Sequence, residues 1–131
     1  MMSPWHALST MAEIILQRVY GPDVSPSGTR VLVDRVWPRG VKREALRLDH
    51  WLRDLGPSDE LRKWFGHRPE RWPEFQRRYR EELAQPSRQP LLDQLTELAR
   101  RGPLILLFGA ADEERNQAVV LRSVLEERLR G

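Results

Sequence analysis

The chain has no cysteine in its 131 residues. This absence excludes disulfide bonds, thiolate catalysis and cysteine-ligated metal sites. The chain also has no apolar run that approaches the roughly 18 residues of a membrane-spanning helix. Both absences are typical of cytoplasmic proteins, so we expect that location and no membrane partner.

Lysine is nearly absent. Lys42 and Lys63 are the only lysines among 22 basic residues. A G+C-rich genome would produce this bias, and most of the arginines stand beside Asp or Glu. The alternative is anion recognition, because a guanidinium binds phosphate or carboxylate bidentately. The net charge of +3 is too small to indicate nucleic-acid binding. Nucleic acid is thus a weakly supported partner beside an anionic small molecule, and nothing indicates the oligomeric state.

Sequence patterns for metals and cofactors are missing as well. The three histidines, His6, His50 and His67, are far apart, and none forms a histidine-carboxylate cluster with metal-ligand spacing. No phosphate-binding or dinucleotide-binding glycine pattern occurs, and Gly109 followed by two alanines is too little. We therefore predict neither a metal nor a cofactor.

The composition, 40% apolar and 31% charged, fits one globular domain. We expect residues 1–11 to be a disordered or mis-called extension, with Met11 as an alternative initiator, and 12–131 to form a single α/β domain. Strands are predicted over 13–20 and 30–36. The five apolar residues of 104–108 are typical of a central strand in a parallel sheet.

Helices are predicted by apolar periodicity and by capping residues. They cover 42–55, 58–65 with Ser58 as N-cap, 69–84, 91–99, and a last helix that Asp112 caps. A short fourth strand near 49–53 is an alternative within the first of these. The order of elements predicts an α/β layered fold with a short, mostly parallel sheet of three to four strands flanked by helices.

Residues 30–42 carry the strongest functional pattern. Val31, Leu32 and Val33 form a buried strand, and a charged cluster around one tryptophan follows it: Asp34, Arg35, Trp37, Arg39 and Lys42. In open α/β sheets, ligands bind just beyond the carboxyl ends of strands. The pattern therefore predicts an anion-accepting pocket where the second and third strands end.

Within this pocket we predict roles for four residues. Arg39, helped by Arg35, would bind the anion, and Trp37 would stack on the substrate. Asp34 would transfer a proton as a catalytic residue. The alternatives are a structural Asp34 paired with its neighbours and a Trp37 that only closes the core. Lys42 is better interpreted as a solvated charge at a helix start.

Three further residues complete the predicted site. His67 is a second candidate for proton transfer, with a helix-capping role as its alternative. Asp112 and Asn116 follow the third strand and are predicted to bind the substrate. Asp112 could instead only cap the last helix, which typically contributes about 1 kcal/mol.

Three segments resemble one known family: RVLVDRVWPRGVKRE, GPSDELRKWFGHRPERWPEFQRRYREEL and LILLFGAADEERNQAVVL. They are similar to the YeaO-like branch of the family called domain of unknown function 488, and the resemblance covers nearly all of 11–121. It implies a compact bacterial or archaeal α/β domain without an established activity.

The chain departs from this family at several positions. Members commonly have Lys and His where this sequence has Ala111 and Arg115. A more distant branch has Cys and His where this chain has Phe108, Asn116 and Gln117. Any thiol or metal chemistry of that branch could not be performed here by those residues.

The leading functional hypothesis is a small cytoplasmic enzyme that acts on a phosphorylated or nucleotide-like molecule. Its catalysis would be non-covalent, because the sequence shows no convincing activated nucleophile. The alternative is a non-enzymatic binding module for a small anion, a nucleic acid or a protein. A third hypothesis treats the charged cluster as a salt-bridge network in a scaffold.

Overall fold

The computed structural model describes residues 12–131, so the extension expected at 1–11 lies outside the described residues. Within that range, four strands and five helices follow one another, joined in places by short 3-10 turns. In chain order they are β1 Ile14–Arg18, β2 Thr29–Leu32, α1 Arg43–Leu46, β3 His50–Trp51, α2 Asp59–Phe65, α3 Trp72–Leu83, α4 Gln89–Arg101, β4 Leu104–Phe108 and α5 Gln117–Arg130.

The four strands form one sheet in the order β1-β4-β2-β3, and every neighbouring pair is parallel. This confirms the predicted α/β fold with a short parallel sheet. β4 has the predicted bounds and is buried along its whole length. Because Leu104 is in register with both Ile14 and Thr29, the carboxyl ends of β1, β2 and β4 reach the same edge.

The two faces of the sheet are covered differently. Val31, Leu106 and Phe108 point to the main core, which the longer helices complete. Leu32, Ile105 and Leu107 point to the other face and form a smaller core that includes Leu46, Trp37 and Trp51. Alternation along each strand produces this division. The second face is therefore covered by the segment that follows β2 and not by a long helix.

The helix predicted over 42–55 is wrong for most of its length. α1 ends at Leu46, because Arg47 adopts a left-handed conformation with φ of 48°. Next comes β3, which pairs with β2, and then a 3-10 turn over Arg53–Leu55. The alternative of a short strand near 49–53 is confirmed. Pairing with the sheet outweighs the helix-like apolar spacing of this segment.

The predicted bounds of α2 are confirmed in detail. The hydroxyl of Ser58 accepts a hydrogen bond from the Leu61 amide at 3.1 Å, which is an N-cap. Gly66 ends the helix in a left-handed conformation with φ of 51°. Pro69 then begins a 3-10 turn that leads into α3.

The start of the last helix differs from the prediction. α5 begins at Gln117 with Asn116 as its N-cap, so the expectation that Asp112 caps it is wrong. The Asp112 carboxylate instead accepts hydrogen bonds from the backbone amides of Glu114 and Arg115 in the preceding turn. In the described part of the chain, no helix has the length and apolarity needed to cross a bilayer.

Candidate functional site

A cavity of about 490 Å³ lies at the carboxyl edge of the sheet, where β2 and β4 end. The predicted site residues that line it are Asp34, Arg35, Trp37, Arg39, His67 and Asn116. Asp112 is the one predicted site residue that does not line it. Five separate regions of the chain contribute to the lining, at 20, 34–39, 57–67, 75 and 109–117, and the parallel register brings the ends of β1, β2 and β4 together.

Asp34 forms part of the inner wall of the cavity. Its Oδ2 accepts a hydrogen bond from the Gly109 amide at 2.9 Å, and its Oδ1 accepts one from the side-chain amide of Gln117. Burial raises the pKa of Asp34 from 3.8 to about 6, although these hydrogen bonds and the charge of Arg62 act in the opposite direction. The carboxyl group therefore changes its ionisation close to neutral pH.

Gly109 permits this arrangement because it has no side chain. A Cβ atom at this position would lie 2.8 Å from Oδ2 of Asp34, closer than such atoms approach. The glycine directly follows β4, which lies beside β2 in the sheet. Its amide can therefore donate to Asp34 in the loop that follows β2. A close approach of the backbone to a carboxylate thus fixes the position of Asp34.

Positive charge dominates the cavity wall. Asp34 is the only carboxylate among the lining residues within 12–131, and the cationic or titratable basic side chains are Arg35, Arg39, Arg62, His67 and Arg115. The exposed guanidinium of Arg39 has no hydrogen-bond or ion-pair partner in that range, since only its carbonyl is engaged, by the Tyr20 hydroxyl. Such a group is available to a ligand.

Arg62 and Arg115 each form one weak ion pair outside the cavity lining. Arg62 pairs with Asp59 at 3.1 Å, and Arg115 pairs with Asp112 at 3.0 Å. Both pairs are partly or largely exposed to solvent, where an ion pair contributes about 0–1 kcal/mol. An anion in the cavity could therefore compete for these guanidinium groups at little cost.

Arg35 is held by the backbone of a neighbouring loop. Its Nε donates to the Pro57 carbonyl at 2.8 Å, and its Nη2 donates to the Gly56 carbonyl at 2.9 Å. A Cβ atom on Gly56 would lie 2.7 Å from the Arg35 amide nitrogen, so the two segments are in tight contact. Arg35 thus joins the loop after β2 to the start of α2, and anion binding by it stays a prediction.

Trp37 is fixed from several sides. Its indole N–H donates to the Val41 carbonyl at 2.7 Å, and its ring meets Trp51 edge-on with centroids 5.3 Å apart. The guanidinium of Arg43 lies over the ring, 4.6 Å from its centroid. These contacts fix the ring in the smaller core, and its stacking on a ligand stays a prediction.

The remaining predicted residues differ in their surroundings. Asn116 is buried, and its side-chain oxygen accepts from the amides of Ala118 and Val119, so that oxygen is used to cap α5. His67 follows Gly66, has a left-handed backbone with φ of 59°, and lies exposed at the rim of the cavity. Its imidazole has no hydrogen-bond partner within residues 12–131. Their roles in substrate binding and proton transfer stay predictions.

Sequence reasoning did not predict several residues of this cavity, among them Tyr20, Arg62, Gly109, Arg115 and Gln117. Gln117 and Gly109 are 83 and 75 positions from Asp34, so only the tertiary fold brings them to it. The one sequence signal available was the position of Gly109 directly after the central strand. The described residues contain no group of three or more histidine or acidic side chains that could hold a metal ion.

Comparison with known proteins gives consistent matches. The model of a family described as "Inactive DUF488-N3 subclade" matches residues 13–131. The chain is 41% identical to the uncharacterised protein YeaO of Escherichia coli, over 80% of this chain and 90% of YeaO. It is 40% identical to the uncharacterised proteins Rv3073c of Mycobacterium tuberculosis and Mb3100c of Mycobacterium bovis, over 85% of this chain and 92% of each relative. No solved structure matches.

Proposed function

This chain belongs to the DUF488 family, within the subclade described as inactive, and we propose that it is a non-enzymatic binding domain for a small phosphorylated or carboxylated molecule. The observation that supports this most is the cavity wall, which within residues 12–131 contains four arginines and a single carboxylate. The guanidinium of Arg39, which has no partner within residues 12–131, would form bidentate, charge-assisted hydrogen bonds with the anion. Arg62 and Arg115 would exchange their surface ion pairs for it.

Two features favour binding over catalysis. Among the described lining residues there is no serine, threonine or lysine, and the whole chain lacks cysteine, so these four nucleophiles are missing at the cavity. The rim imidazole of His67 has no carboxylate or carbonyl partner in the described range to orient it as a base. The cavity wall therefore offers charge for binding and little machinery for covalent chemistry.

Anion binding can be measured directly by calorimetric titration with inorganic phosphate, ethyl phosphate and AMP. We expect the Arg39→Ala variant to bind roughly 10–100-fold more weakly, since a hydrogen bond to a charged group contributes about 1.5–3 kcal/mol. Arg101→Ala is the matched control. It removes an exposed arginine that pairs with Glu97 at the opposite end of the sheet.

The control separates a local contact from a general effect of charge. If the two variants bind equally well, Arg39 is not the anion ligand and the proposed orientation is wrong. If the unaltered protein binds none of the three compounds and no amino-bearing phosphate at low salt, the proposed function itself fails.

An enzyme acting on the same class of molecule is the second candidate, and the pKa of Asp34, about 6 in a cleft, is the observation that favours it. Asp34 or His67 would then transfer protons, while Arg39 and Arg35 hold the anion and Trp37 stacks on the substrate. A buried carboxyl group that titrates near neutral pH suits general acid-base catalysis.

Hydrolysis assays with p-nitrophenyl phosphate and AMP between pH 5 and 8 distinguish the two candidates. We expect no turnover above background, from the unaltered protein or from Asp34→Asn. Turnover that changes with pH around 6 and disappears in Asp34→Asn would replace the binding proposal with the enzymatic one.

A further inference from the structure

We propose that the ligand of this cavity carries an amino group in addition to its anionic group. This inference rests on the proposed function and specifies its ligand class. Two observations carry it: Asp34 lies in the wall of the cavity, and the cationic side chains of Arg39, Arg62 and Arg115 line the same cavity. The cavity therefore presents one negatively charged acceptor together with several positively charged donors.

Asp34 retains the capacity to accept another hydrogen bond. A carboxylate has about four lone-pair sites, and the described structure occupies one on each oxygen, with the Gly109 amide and the Gln117 side chain. The side chain is only partly exposed, and the exposed part faces the cavity. An ammonium or amine N–H reaching this wall would find a fixed acceptor.

A simple anion is less well matched to the same wall. A phosphate placed against Asp34 would meet a charge of its own sign, and repulsion in a half-buried site is weakly screened. An amino-bearing anion avoids this conflict, because its positive end contacts Asp34 while its negative end contacts the arginines. The combination of charges selects against ligands that lack the amino group.

The size of the cavity sets the scale of this ligand. A volume of about 490 Å³ is within the range of small-molecule sites. Phe65, Phe75 and Trp37 supply apolar surface along the wall. These dimensions suit a small zwitterionic phosphate or carboxylate, whose two charged ends contact different residues of one cavity.

A matched pair of ligands tests the inference. O-Phosphoethanolamine and ethyl phosphate share a phosphate ester on a two-carbon chain and differ in the amino group. At pH 7.5 we expect the unaltered protein to bind O-phosphoethanolamine at least about 10-fold more tightly. In Asp34→Asn we expect this preference to fall to about one. Asp93→Asn is the control, since Asp93 is an exposed carboxylate outside the cavity lining that pairs with Arg128.

The outcomes separate this inference from the proposed function. A preference that Asp34→Asn removes and Asp93→Asn keeps supports the inference. Equal binding of both compounds, or tighter binding of ethyl phosphate, overturns it and leaves anion binding intact. A preference that Asp34→Asn retains also overturns it. If neither compound binds, the proposed function and the inference fail together.

Discussion

The Asp34→Asn variant is expected to be more stable than the unaltered protein at pH 7.5, by up to about 3 kcal/mol. The reason is the difference between the pKa of Asp34 in the folded protein, about 6, and its ordinary value of 3.8. Burial disfavours the ionised carboxylate, and asparagine carries no charge that must be buried. Its side chain can still accept from the Gly109 amide and pair with Gln117.

The sign of this effect fixes its pH dependence. Because folding raises the pKa, the folded state binds the proton more tightly, and the stability that this contributes is fully present below pH 3.8. It is lost as the pH rises through about 6. The advantage of Asp34→Asn should therefore be small in acid and widen between pH 4.5 and pH 7.5.

Urea denaturation of both proteins at pH 4.5, 5.5 and 7.5 measures this difference directly. Other carboxylates titrate in the same interval, but their contributions cancel when the two proteins are compared at each pH. Near pH 7.5 the expected gain corresponds to a Tm higher by about 10 °C for a domain of this size. A variant that is less stable at pH 7.5, or a gain that does not change with pH, would contradict the burial argument. If replacing Asp34 stabilises the fold, the protein retains a destabilising residue at the cavity. This is the pattern expected of a residue that serves binding and not stability.

The Gly109→Ala variant is expected to lose about 2–3 kcal/mol of stability. Its Cβ would lie 2.8 Å from Oδ2 of Asp34, and 3.7 Å from both Pro38 and Tyr20. Either Asp34 leaves its hydrogen bonds or the loop after β4 shifts, and crowding of this kind costs about 1–3 kcal/mol. A buried carboxylate left without its hydrogen bonds adds to that cost.

A double-mutant cycle identifies the cause. In an Asp34→Ala background, the same Gly109→Ala change should cost less than about 1 kcal/mol, because the crowded oxygen is gone. Gly102→Ala is the control, since its Cβ would meet nothing within 4 Å and its φ of 164° is extended. That control should stay within about 0.5 kcal/mol of the unaltered protein. Equal costs of Gly109→Ala in both backgrounds would assign the strain to the backbone instead.

Prediction from sequence succeeded where a local rule determines the structure. β4 is five apolar residues between Pro103 and Gly109, and α2 has an N-cap at Ser58 and a left-handed glycine at its end. In these cases the preference of each residue agrees with the tertiary packing. The same local rules failed at 42–55. The apolar spacing of this segment is compatible with a helix, but part of it forms β3, which pairs with β2.

The start of α5 shows a different kind of failure. Asp112 and Asn116 are both favoured N-cap residues, so the local rule could not choose between them. Asn116 became the cap, and Asp112 formed a turn with Glu114 and Arg115. The choice depends on where the helix must begin in order to pack on the sheet.

The sequence by itself determined the parallel α/β sheet, most of its helices and the edge where polar residues gather. These follow from apolar periodicity, caps and the position of charges after buried strands, which are all local properties. Only the tertiary structure decided which of those residues meet. Gln117 and Gly109 contact Asp34 across 83 and 75 positions, while Arg35 and Trp37 bind backbone carbonyls nearby. Burial and pairing at such distances depend on packing, so the pKa of Asp34 and the charge of the cavity are properties of the fold.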